Sequence, residues 1–125
     1  MKDNLGGRML YGVIGITVWT DNIKNMLSFY RDILKLPLYS NHGDFAAFKF
    51  EDIRLNLGVH DRVNGPSRDQ FRIMINFGVE DIFAEHSRLS QKGVVFIRTP
   101  QKENWGGWVS TFYDPDGNIL QLLQL

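Results

Sequence analysis

The chain contains no cysteine, which removes disulfides, thiolate metal ligands and thiol nucleophiles and gives no sign of an oxidising compartment. Neither charge is in excess: 14 lysines and arginines meet 14 aspartates and glutamates, so no overall field draws nucleic acid or an anionic membrane surface. No apolar run approaches the roughly 20 residues of a membrane-spanning helix. The stretch up to Gly12 carries basic side chains without an apolar segment and small-residue cleavage site behind them. A cytoplasmic protein without a nucleic-acid or membrane partner is the expectation. Histidine is also scarce, and His42, His60 and His86 are not linked by the HxH or HxxxH spacing of metal-ligand pairs.

What is present suits one domain spanning 1–125, since 125 residues with 43% hydrophobic content can bury a core. "VIGITVW" (13–19) alternates Ile14, Ile16 and Val18 against a mixed face and predicts a strand. "TDNIKNMLSFYRDILKL" then sets Ile23, Met26, Leu27, Tyr30, Ile33 and Leu34 at helical spacing, with Thr20, Asp21 or Asn22 as cap and Pro37 as stop. Strands are expected at "PLYSN", "FAAFKF" and "DIRLNLGVH". After the loop "DRVNGPSRDQ" the order restarts, with a strand in "FRIMINFGV", a helix in "EDIFAEHSRLSQKG" ending at Gly93, and strands at "VVFIR", "WVSTFY" and "ILQLLQL". The turn Asp114-Pro115-Asp116-Gly117-Asn118 precedes the last strand, each position having turn chemistry.

Two β-α-β-β-β modules, about 10–61 and 71–125, therefore cover the chain. Laying residue n on n + 59 pairs Ile16 with Ile75, Val18 with Phe77, Asn22 with Asp81 and Ile23 with Ile82, as a duplication would. If the aliphatic strand faces pack on the helices, the opposite faces carry Thr17, Trp19, Arg54, Asn56, His60, Arg72, Met74, Asn76 and Gln121. That mixture suits a concave ligand site and equally a solvated or dimer-packed face.

The whole chain resembles the vicinal oxygen chelate superfamily, which includes glyoxalase I, extradiol dioxygenases and bleomycin resistance proteins. The similar stretches are "ITVWTDNIKNMLSFYRDILKLPL", with its FY-x-D-x-L pattern, "INFGVEDI", and "WGGWVSTFYDPDGNILQL". The resemblance implies an α+β fold of paired βαβββ modules whose curved mixed sheet surrounds an open cup, in a protein that is usually a homodimer. Metal-dependent members hold one divalent ion there as a Lewis acid. Their ligand positions fall on Gly15, Asn56, Met74 and Gln121. Glycine offers no donor, thioether is too soft for oxygen-preferring ions, and amides bring no charge. No metal and no cofactor is therefore expected.

The reading is a metal-independent binding protein for an aromatic or drug-like small molecule, similar to the bleomycin-resistance branch. Its candidate ligand contacts are Thr17, Trp19, Arg54, Asn56, His60, Asn76, Trp105, Trp108 and Gln121. The tryptophans would stack a flat ligand. The arginines would receive an anionic group, and a neutral chain suits an anionic or neutral ligand better than a cationic drug. No catalytic residue is identified. The competing classes are a metal-dependent lyase or dioxygenase of the same superfamily, and a dimeric scaffold whose cup is filled by its own side chains.

Overall fold

The computed structural model describes residues 9–125. Its elements run β1 (Gly15–Thr20), α1 (Ile23–Ser28) continuing as a π-helical turn (Phe29–Ile33), β2 (Leu38–Asn41), β3 (Phe45–Phe50) and β4 (Ile53–Val59). The second module follows with β5 (Ile75–Gly78), α2 (Ile82–Gln91), β6 (Phe96–Lys102), β7 (Trp108–Tyr113) and β8 (Ile119–Gln124). Each module builds its own four-stranded mixed sheet, in the orders β1-β4-β3-β2 and β5-β8-β7-β6. In both, the first strand lies parallel to the last and the remaining pairs are antiparallel. The helices begin alike, with the Asn22 side chain accepting from Asn25 N–H at 3.4 Å and Asp81 from Ala84 N–H at 3.1 Å, the capping expected of these residues. These two caps are partners under the 59-residue offset.

Both sheets turn their aliphatic faces to one core. Leu55, Leu57 and Phe48 from the first sheet and Phe112, Leu120 and Leu122 from the second join helical Met26, Phe29, Tyr30, Ile82 and Leu89 in a single cluster. The first helix serves both sheets, Tyr30 stacking near Phe48 at 6.4 Å and Phe29 near Phe112 at 6.5 Å. The π turn helps here. Leu34 N–H reaches back five residues to the Phe29 carbonyl at 2.9 Å, and the wider turn brings successive side chains closer in angle, so that neighbouring Phe29 and Tyr30 are both buried. At the other helix end Gly93 takes φ +88° while Val94 N–H bonds the Leu89 carbonyl, a stop that favours glycine.

The first, fifth and sixth strands differ most from the sequence reading. The first strand begins at Gly15, where pairing with β4 begins at Gly15↔Arg54, so Val13 and Ile14 precede it. The fifth is only four residues long because β8 supplies partners only from Leu120 to Leu123; Arg72 and Met74 therefore lie before it. The sixth runs on to Lys102 through Pro100, which an edge strand with register shifts tolerates. No helix among the described residues is long and apolar enough to cross a membrane.

Candidate functional site

Strand alternation decides which side chains leave the core. Ile16, Val18, Ile75 and Phe77 pack against it, so Thr17, Trp19 and Asn76 project from the opposite faces. In the first module Thr17 lies beside Asn56 in register, and the Asn56 amide Nδ2 donates to Thr17 Oγ1 at 3.3 Å. In the second, Asn76 lies beside Gln121, whose Nε2 donates to Asn76 Oδ1 at 2.8 Å while its Oε1 accepts from Thr111 at 3.3 Å. Thr17 and Asn76 are partners under the 59-residue offset, so the two modules carry the same kind of pair at the same place. Each polar face is turned away from the shared core, and the two sheets are separate within one chain. A single chain thus presents two polar faces on separate sheets.

The first polar face holds more than its amides. Trp19, 42% exposed, lies over Gly58 and meets His60 edge-on at 5.2 Å and Phe45 at 6.2 Å. His60 Nδ1 accepts from Arg62 N–H at 3.1 Å. Arg54 sits across from both Gly15 and Lys49, with its guanidinium 4.6 Å from the Tyr39 ring centre and Lys49 Nζ 5.1 Å from the same ring on β2. Strand alternation placed Thr17, Trp19, Arg54 and Asn56 on this face; Tyr39, Lys49 and, in the second module, Thr111 were missed. The alternation of Phe45, Ala47 and Lys49 in "FAAFKF" was the available signal.

Of the other two candidate tryptophans, Trp108 leaves the polar face. Trp108 shares its side of β7 with Ser110 and Phe112 and packs on Phe83 of α2 at 5.1 Å, so it closes the helix side of the sheet. Trp105 sits in the β6–β7 turn and occupies the space a Gly107 side chain would need. A groove between the modules reaches two of the candidate residues, Arg54 and Asn76. It is open, about 830 Å³ in volume, and is bordered also by Ile16 of β1, Ile75 and Phe77 of β5, Phe50 and the charged Glu85 and Arg88 of α2.

The DPDGN turn fastens the modules together. Asp114 accepts from Asp116 N–H and Asn118 N–H at 2.9 Å each, and from the Asn118 amide at 2.8 Å and the Tyr30 hydroxyl at 2.7 Å. Asp116 accepts from Thr20 at the end of β1 at 2.6 Å. Burial, followed by the charge of Asp114 and its hydrogen bond, holds the Tyr30 phenol well above its ordinary range. The Asp116 carboxyl is raised chiefly by burial; the Thr20 hydroxyl opposes this, and the charges of Asp114 and Asp21 add to it.

The superfamily's metal positions can be tested on these contacts. A side chain at Gly15 would come within 3.9 Å of the Asn56 amide, so positions 15 and 56 do adjoin. Their occupants do not fit an ion. Gly15 has no donor, while the amides of Asn56 and Gln121 are engaged with Thr17, Asn76 and Thr111. Among the described residues no group of three His, Cys, Asp or Glu side chains could hold a metal.

Comparison with known proteins agrees with this architecture. The sequence model of the Glyoxalase/Bleomycin resistance protein/Dioxygenase superfamily matches residues 12–122, and the chain belongs to that superfamily. The protein YraH of Bacillus subtilis is 24% identical over 125 residues, covering 90% of this chain and 98% of its own. A superfamily member from Sphaerobacter thermophilus superposes with TM-score 0.75 at 23% identity, covering 94% of this chain and 100% of that one. Lactoylglutathione lyase from Agrobacterium tumefaciens gives 0.73 at 15% identity, covering 94% and 96%. At such identities the structures speak for the fold alone.

Proposed function

We propose that this chain is a metal-independent small-molecule-binding protein of its superfamily, acting as a homodimer in the cytoplasm. In the dimer the polar face of the first module of one copy closes against that of the second module of the other, giving two cups. The observation that carries the metal-independent reading is the donor set: no carboxylate or imidazole stands at Gly15, Asn56, Met74 or Gln121, and both amides are held by neutral neighbours. Outward-turned polar faces and the open edges of β1 and β5 support the pairing. An amide can donate and accept at once, so Asn56, Asn76 and Gln121 would orient a ligand, with Trp19 as the stacking surface.

Elemental analysis of purified protein, joined to calorimetric titration with flat aromatic compounds, tests this. Substoichiometric metal and saturable binding weakened by Trp19→Ala are expected. One tightly held divalent ion per chain, lost in Gln121→Ala, would overturn the reading in favour of a metal-dependent lyase or dioxygenase. Absence of both metal and binding would leave the scaffold.

A further inference from the structure

We propose that the molecule taken by the cup is an elongated aromatic carboxylate, its anionic end received by Arg54 and Lys49 and its ring by Trp19; this rests on the small-molecule-binding function proposed above. Lys49 and Arg54 are direct cross-strand partners on one exposed face. Like charges in that relation destabilise a sheet. No carboxylate among the described residues lies within ion-pairing distance of either, whereas Arg98 of β6 has Glu103 at 3.0 Å and Arg88 of α2 has Glu85 at 2.9 Å. Among the described residues the two cations share the face of Tyr39, at 5.1 and 4.6 Å. At an exposed site that interaction is weak, far weaker than the pairing a bidentate carboxylate offers a guanidinium.

The surroundings leave room for such a group. Gly15, opposite Arg54, presents no side chain over the sheet. Trp19 lies opposite Gly58, four residues along both strands. At about 3.3 Å per residue that is roughly 13 Å between backbone positions. The leaning arginine and indole shorten the span to a ligand on the order of 10 Å long, with the Thr17–Asn56 pair midway to bond polar atoms along it.

The test is calorimetric titration of the full chain with biphenyl-4-carboxylate and its neutral twin biphenyl-4-carboxamide, at low and high salt. The carboxylate should bind at least about tenfold tighter, an advantage that high salt erodes. Lys49→Gln/Arg54→Gln should weaken the carboxylate more than the amide and remove the difference between them, with the circular dichroism spectrum unchanged. Trp19→Ala should weaken both ligands. Equal affinity for the pair, or an advantage that survives the double substitution, overturns the anionic assignment and leaves the cup a binding site. Binding of neither compound overturns it too. If a wider aromatic panel also fails, the binding function falls with it.

Discussion

At the scale of single residues, the buried polar groups concentrate on the turn after β7. Tyr30 and Asp114 are both buried, and their 2.7 Å bond joins the first helical segment to the second module. Tyr30→Phe should cost about 1.5–3 kcal/mol in urea unfolding, the range for a hydrogen bond to a charged group. The phenol also has a pH signature. Its folded-state value lies above the ordinary 10.0, so the folded chain keeps a proton the unfolded chain loses, and stability falls as pH rises above about 10. Unfolding curves at alkaline pH should show that decline, reduced in the phenylalanine variant. Asp116 has the same sign in the acidic range. Raised from 3.8, its carboxyl retains its proton in the folded chain where the unfolded chain releases it, so ionisation lowers stability as pH rises from about 4. Asp116→Asn keeps an acceptor for Thr20 and should gain on the native protein between pH 4 and neutrality; melting temperatures across that range would check it, and a constant difference would count against it.

Elements are set by their ends and their neighbours. Both helices start on an amide or carboxylate cap, but the α2 cap bond is shorter, 3.1 against 3.4 Å, and Gln124 adds a second acceptor, its side chain receiving Ile82 N–H at 2.7 Å. Asp81→Ala should therefore cost about 1 kcal/mol and Asn22→Ala less, measurable by chemical denaturation. In the β strands the sensitive place is Gly58 of β4. A methyl there would lie 2.7 Å from the rings of both Phe45 and Trp19. Gly58→Ala should cost about 1–3 kcal/mol by overpacking and shift the Trp19 emission as the ring moves. Unchanged stability and emission would show that the aromatic cluster has slack.

For the molecule as a whole, the central question is how two outward polar faces become a site. The dimer proposed above should sediment at twice the 14.5 kDa chain mass. Mixing Trp19→Ala protein with Gln121→Ala protein, after dissociation and reassociation, should restore about half of the mixed dimers' cups to native composition. A monomer that binds the aromatic ligand with full affinity would show that one module's face suffices. Apolar side chains beside the open edges, such as Val13 and Ile14 before β1 and Ile73 before β5, are exposed in the single chain and would be covered on pairing.

The sequence by itself settled the repeated β-α-β-β-β order and the faces of β1 and β4, and it contains no imidazole or carboxylate at positions 15, 56, 74 and 121. Periodicity and turn chemistry are local, and a missing imidazole or carboxylate is missing in any fold. Tertiary structure decided the rest. Trp108 went to the helix side because its parity on β7 follows the register with β8, and Met74 fell outside a strand because no partner reaches it. The two modules bury their aliphatic faces in one core, since covering both at once removes the most apolar surface from water. That packing turns Gln121 and Asn56 outward on separate sheets, an arrangement no local pattern contains.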